Sequence, residues 1–176
     1  MSEGDDLRLV EECLAGDRRA FEAFVDRYER PLYNAAYRIL GSADDAEEAT
    51  QAAFTKAFEA LGSFRKGTKF FSWLYRIAIN ESLNMRQARR HHEPVDEESL
   101  SRHETPETIY RQKELEGTIQ KALNALPDDY RVVIVLRHFQ DLSYDEIAVI
   151  LEIPAKTVKS RLFSARQQLR ALLPNE

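Results

Sequence analysis

With one cysteine, Cys13, among 176 residues, the chain has no internal disulfide framework and too few thiols for a zinc finger. No apolar run approaches the ~20 residues that span a bilayer. The opening stretch Met1-Ser2-Glu3-Gly4-Asp5-Asp6 is acidic where a secretory leader would be basic. A cytoplasmic protein with no membrane partner is therefore expected. There is no glycine-rich phosphate loop, and no Ser/His/Asp or paired-carboxylate arrangement stands out beyond chance co-occurrence. That argues against an enzyme and against a cofactor. His91, His92, Glu93 and His103 lack the i, i+4 spacing of a rigid metal site, so no metal is expected either.

What is present reads as globular and helical. Hydrophobic residues make up 43% and charged residues 31%, a balance that suits surface helices around a core. The length allows one medium core or two small ones. The formal net charge of −5 conceals segregation. Lys and Arg concentrate in residues 65–90 and 156–170, and acids in residues 44–48 and 93–116. Screening cuts off charges beyond ~10 Å at moderate salt, so each basic stretch acts as a local phosphate-binding patch whatever the global sum. Two such patches imply two contacts with nucleic acid.

Helical periodicity dominates the first half. Phe21, Phe24, Val25, Tyr28, Leu32, Ala35, Ala36 and Ile39 recur at three- and four-residue steps, with Asp17 as N-cap, Gly41 as stop and a kink expected at Pro31. Ser42 caps a second helix carrying Ala46, Ala49, Ala53, Phe54, Ala57 and Leu61 and ending at Gly62. Its other face, with Asp45, Glu48 and Glu59, is acidic. A third helix aligns Phe70, Trp73, Leu74, Ile77, Glu81 and Met85, while Lys69, Arg76 and Asn80 share another face. Cys13 sits beside Leu9, Val10 and Leu14 in a short N-terminal helix, where packing is its expected role.

Between His91 and about Thr108 the periodicity fails, acids accumulate, and Pro94 and Pro106 bracket the stretch, which predicts a solvated linker. Beyond it, Leu115, Ile119, Ala122, Leu123 and Leu126 mark a helix ended by Pro127. The run Val132-Val133-Ile134-Val135 has strand propensity. Tyr130, Val133, Ile134 and Arg137 nevertheless fit a helical turn, and Asp128 and Asp129 suit a helix N-terminus, so a helix is expected.

The most informative stretch runs over residues 142–161. Ser143 and Glu146 form a capping box, Ile147, Ala148 and Leu151 give a short helix its buried side, and Pro154 opens a second helix after a tight turn. This is helix-turn-helix patterning. On the second helix Val158, Leu162, Ala165, Leu169 and Leu172 form a seam, leaving Lys156, Lys159, Ser160, Phe163 and Gln167 facing away. Such a face suits a major groove: Lys for phosphate or guanine, Ser for either a base edge or phosphate, Phe for a thymine methyl. A solvated helix face is the ordinary alternative. Against it, no acid interrupts the basic residues at 156–170, and Phe163 falls where a merely soluble helix prefers a polar residue.

Together these motifs resemble the extracytoplasmic-function sigma factors of bacterial RNA polymerase, over nearly the whole chain from Ala15 to Leu173. Asp45-Ala46-Glu47-Glu48 with Gln51 and Phe54 is similar to the family's polymerase-binding helix. Ser63-Phe64-Arg65 and Phe71-Ser72-Trp73-Leu74-Tyr75-Arg76-Ile77-Ala78 are similar to its promoter-opening segment. Leu126-Pro127, the capping-box helix and Thr157-Val158-Lys159-Ser160-Arg161-Leu162 are similar to its second DNA-binding domain. The order and spacing of the motifs make the resemblance specific.

The resemblance implies an all-α fold of two small helical domains joined by a flexible acidic linker, with boundaries at 1–92, 93–112 and 113–176. Asp45, Glu47, Glu48 and Gln51 would bind the polymerase core. Phe64, Arg65, Lys66, Lys69, Arg76 and Asn80 would hold the promoter's minus-ten element as melted single strand. Lys156, Thr157, Lys159, Ser160, Arg161 and Phe163 would read the minus-35 element as duplex. An anti-sigma factor or another trans-acting regulator is the expected further partner.

Two positions depart from the family pattern. Ala52 stands where an acid is common, and phosphorylation of the flanking Thr50 or Thr55 would restore charge there. Ser164 stands where relatives often carry Arg. Two other function classes compete with a sigma factor. A stand-alone helix-turn-helix regulator leaves the basic, aromatic stretch 64–90 without a purpose, and an enzyme lacks its chemistry.

Overall fold

A computed structural model of the chain describes residues 3–65, 67–92 and 107–173. Lys66 and the linker residues 93–106 lie outside them, as do the side chains of His91 and His92. The described residues form α-helices and no β-strand: α1 (Glu3–Leu14), α2 (Arg18–Leu40), α3 (Ala43–Ala60), a 3-10 turn (Leu61–Ser63), α4 (Phe70–His92), α5 (Glu107–Ala125), α6 (Asp128–Ile134), a π-helical turn (Val135–Phe139), α7 (Tyr144–Leu151) and α8 (Ala155–Leu172).

Local chemistry sets the helix ends. Asp17 accepts from the Arg19 N–H at 2.9 Å to start α2. Gly41 ends it at φ +76°, where an added Cβ would also meet the Asn124 amide nitrogen at 2.8 Å. Glycine is thus required there both for its left-handed backbone and for the close approach of the second half. The helix runs on through Pro31. Ser42 caps α3 through the Asp45 N–H. Although Val132 to Val135 favour strand, α6 is helical because both its sides are covered: Val132, Val133, Ile134, Val135 and Leu136 are all buried. Tertiary packing overrides propensity here. Helix α5 begins at Glu107, inside the stretch expected to be linker, and its expected core residue Leu115 is 59% exposed.

The first half, α1 to α4, packs around Phe24, Tyr28, Phe54, Phe70 and Leu74. Phe24 stacks on Phe70 at 4.1 Å between ring centroids. Asp6, 6% exposed, ties α1 to this core, accepting from the Tyr28 hydroxyl at 2.6 Å and pairing with Arg27. Burial, then that hydrogen bond, push the Tyr28 phenol upward and keep it neutral. Of the expected line Phe70, Trp73, Leu74, Ile77, Glu81 and Met85, Phe70 and Leu74 are buried and the other four are half-buried. Ser72, Tyr75, Ala78, Ile79 and Ser82 are buried beside Phe70 and Leu74. The reason is that α4 is covered from two sides, by α2 and α3 and by α1 and α7, so its buried sector is wider than one amphipathic face. Glu81 instead pairs with Lys56 at 2.6 Å.

In the second half, α6, α7 and α8 enclose Val133, Leu136, Ile147, Ile150, Val158, Leu162 and Ala165. The two halves share one continuous core cluster. Arg131, fully buried, bonds the two together. Its guanidinium donates to the carbonyls of Leu123 (2.6 Å), Asn124 (2.5 Å) and Leu126 (2.9 Å) in its own half and of Ile39 (2.8 Å) in the first. Leu123 and Asn124 lie in the last turn of α5, Leu126 in the turn after it and Ile39 at the end of α2, so the guanidinium sits at the negative poles of both helices.

Candidate nucleic-acid and protein interfaces

The capping box forms as its residues dictate. The Glu146 N–H donates to Ser143 Oγ at 3.2 Å, and the Ser143 N–H donates to Glu146 Oε2 at 3.0 Å. The backbone hydrogen bond from Ser143 is the main reason the Glu146 carboxyl is held below its ordinary range. After α7 the chain turns through Glu152 at φ +54°, and Pro154 occupies the N-cap of α8. Val158, Leu162 and Ala165 are buried as expected, whereas Leu172 at the end of the seam is 46% exposed. Lys156, Lys159, Ser160 and Phe163 are exposed, and Phe163 at 63% has the most open large apolar side chain among the described residues. Thr157 is half-buried, its carbonyl accepting from Ser160 Oγ at 3.0 Å. Arg161 pairs with Asp129 at 2.7 Å. It braces α8 against α6 and is already engaged within its own half.

On α3, Glu47, Glu48 and Gln51 are exposed, with Gln51 Nε2 donating to Glu47 Oε1 at 3.3 Å. Asp45 differs from them. It is 6% exposed and pairs with Arg89 of α4, so its carboxylate ties two helices together. Thr50 is also buried, its hydroxyl donating to the Ala46 carbonyl at 2.6 Å. Thr55 is exposed and donates to the Gln51 carbonyl at 3.0 Å.

The residues expected to hold melted DNA do not share one open surface. Phe64 turns inward, edge-on to Phe70 at 5.6 Å and to Trp73 at 5.5 Å, where it plugs the core. Arg65 and Asn80 are exposed. Lys69 and Arg76 face the second half. Lys69 Nζ lies 3.4 Å from Glu146 Oε1. Arg76 pairs with Glu152 at 2.7 Å and donates to the Val149 carbonyl at 3.0 Å.

The contacts between the halves were not foreseen. Tyr75 donates to Gln140 at 2.8 Å, and Arg86 and Arg90 pair with Asp128 at 2.8 Å and 3.1 Å. Arg38 lies over the Phe139 ring at 4.7 Å and donates to Gln120 at 3.3 Å. Basic residues in 65–90 were a visible signal, but they pointed to nucleic acid; nothing local shows which carboxylates the fold will bring to them. Beside this seam, Ile119, Leu123, Ile134, Phe139, Leu169 and Arg166 line a groove of about 420 Å³. Among the described residues no group of His, Cys, Asp or Glu is arranged to hold a metal ion, and no helix is long and apolar enough to cross a membrane.

Comparison with known proteins assigns both halves. Residues 24–92 match the family model for Sigma-70 region 2, and residues 116–169 match that for Sigma-70, region 4. The chain is 36% identical to the RNA polymerase sigma-H factor of Pseudomonas aeruginosa, over 99% of this chain and 97% of that protein. It is also 36% identical to the ECF RNA polymerase sigma-E factor of Escherichia coli, over 93% and 92%. Among solved structures it resembles CnrH in complex with the cytosolic domain of CnrY, with a TM-score of 0.76, 27% identity and 96% of each chain covered. It also resembles the sigma factor RpoE in complex with the anti-sigma factor NepR from Bartonella quintana, with a TM-score of 0.71, 29% identity and coverage of 86% and 95%.

Proposed function

Because the chain belongs to the extracytoplasmic-function group of the sigma-70 family, a group of non-catalytic factors that direct RNA polymerase to promoters, we propose how its surfaces divide that work. Helix α8 reads the minus-35 element as duplex through Lys156, Lys159, Ser160 and Phe163. Thr157 and Arg161 set the helix in place. The face of α4 and the loop before it hold the minus-ten element as single strand through Arg65, Lys66, Lys69, Arg76 and Asn80, with Phe64 shaping the loop from within. Glu47, Glu48 and Gln51 on α3 meet the polymerase core. Asp45 keeps that helix against α4.

The observation that carries the duplex assignment is the outward row of α8. It follows a capped helix and a tight turn, no acid interrupts its basic residues, and it exposes Phe163. A phenyl ring left in water costs hydrophobic stabilisation that a thymine methyl in a major groove recovers. The exposed acids on α3 support the polymerase assignment by charge, since complementary charge steers association and fixes register. We assign the domains to residues 1–92 and 113–176, with α5 reaching back into the connecting stretch. CnrH and RpoE were solved with protein partners. A comparable regulator is proposed for this chain, and the apolar groove beside α5 and α8 suits one of its helices.

Run-off transcription with core polymerase on a pool of randomised promoters tests the whole reading. Transcripts that depend on the chain and share two spaced elements are the expected result. Binding to duplex DNA with no such transcripts would instead indicate a stand-alone regulator.

A further inference from the structure

Three carboxylates of the second half lie along the basic helix of the first. Glu146 faces Lys69 at 3.4 Å, Glu152 faces Arg76 at 2.7 Å, and Asp128 sits between Arg86 and Arg90 at 2.8 Å and 3.1 Å. Lys69 and Arg76 are the side chains assigned above to the melted strand. We propose that α7 is an internal mask for the single-strand site, its carboxylates occupying the positions that DNA phosphates take when the halves separate. This rests on the assignment of the α4 face to single-stranded DNA.

Two further observations support the mask. Glu152 adopts φ +54°, a left-handed conformation where glycine is the unstrained choice. A glycine there would turn the chain more easily but would not reach Arg76, so the strained residue supplies a contact that the turn itself does not need. The covering is also selective. Lys156, Lys159, Ser160 and Phe163 of α8 stay exposed, as do Glu47, Glu48 and Gln51 of α3. The closed chain can therefore meet polymerase and duplex DNA while Lys69 and Arg76 of its single-strand face are occupied, and separation of the halves becomes the step that admits melted DNA to them. When binding requires a minor open state, the apparent affinity falls by the fraction open. Exposed ion pairs are individually weak, so the two α7 pairs add roughly threefold to tenfold to a closed form that the shared core and Arg131 also hold.

The test uses the full chain with Cys13→Ser and dyes on cysteines at exposed Glu59 and Gln168, one in each half. Energy transfer reports closure, and binding of a fluorescent single-stranded oligonucleotide of random sequence reports the α4 face. Glu146→Gln with Glu152→Gln removes both charges while keeping the capping box, which accepts Gln. The double variant is expected to raise the low-transfer fraction and bind the oligonucleotide more tightly in the same proportion, about threefold to tenfold. Glu152→Gly, which relieves the turn, should shift both readouts the same way. Wild-type chain that is already open, or variants that open without gaining affinity, would overturn the mask while leaving the DNA assignment intact. If neither wild type nor open variant binds the oligonucleotide, while Lys69 and Arg76 substitutions leave promoter-dependent transcription unchanged, the DNA assignment fails and the mask fails with it.

Discussion

Replacing Arg131 by methionine tests what holds the two halves together. The guanidinium is 0% exposed and donates to four backbone carbonyls, three at the end of α5 and the turn after it and one, Ile39, at the end of α2. Burial, reinforced by nearby Arg86 and partly offset by Asp128, pushes its pKa down to about 9, which leaves it charged at neutral pH. A hydrogen bond to a charged group contributes about 1.5–3 kcal/mol. Four such bonds overstate the net effect, because bringing the cation out of water is itself costly. Methionine removes that desolvation cost but leaves the Ile39 and Leu126 carbonyls without the donor they had, at about 1–3 kcal/mol for each that water cannot reach, while the Leu123 carbonyl keeps the Leu126 N–H and the Asn124 carbonyl keeps Arg86. A net loss of about 3–5 kcal/mol follows, in the range for breaking a buried ionic network. In a domain of this size that lowers the melting temperature by about 6–20 °C. Lysine, a single point charge without the planar fork, cannot serve four carbonyls and should recover only part of the loss. Urea unfolding measured by both circular dichroism and Trp73 fluorescence is the assay, because two probes show whether the halves still unfold together. A loss below about 1 kcal/mol at unchanged slope would refute the reasoning, since the carbonyls would then have found other donors without penalty.

Three other outcomes are expected. Glu48→Lys should weaken association with core polymerase, read by fluorescence anisotropy, and leave thermal stability near wild type; Asp45→Ala should lower stability because Arg89 loses its buried partner. Lys159→Ala should weaken duplex binding across sequences and lower the magnitude of its salt slope by about 1 if the lysine meets phosphate, whereas Phe163→Ala should reduce discrimination for thymine without changing the slope. His138 is held below the ordinary histidine range by burial, then by Arg166 and Arg137. The unfolded chain therefore takes up the proton first, and the second half should lose stability as pH falls from about 6.5 toward the depressed value; denaturant midpoints across that window, flattened in His138→Gln, check this.

Helix ends and the helix-turn-helix were legible because their causes are local. Asp17, Ser42 and the Ser143–Glu146 pair act within a few residues of themselves, and Gly41 marks its own left-handed turn. The row on α8 was legible because its buried partners recur at helical spacing, which fixes the opposite face. The family motifs, being ordered along the chain, pointed to both halves and to transcription initiation. The buried face of α4 was not legible, because periodicity finds one covered side and this helix has two. Nor were the roles of Asp45, Phe64 and Arg161, each of which reads locally as a contact for a partner and is turned by the fold toward a neighbour, Arg89, Phe70 with Trp73, and Asp129. Arg131 gave no signal at all, since a charge between two aspartates and an apolar run looks like a solvent-facing residue until the ends of two distant helices surround it. The sequence by itself determined the capped helix starts, the apolar stripe of helices covered on one side and where charge collects, all properties of neighbours along the chain. Only the tertiary structure decided which charges meet, because pairing between residues 77 and 76 positions apart, as in Lys69–Glu146 and Arg76–Glu152, depends on how the helices pack and not on the spacing of either partner.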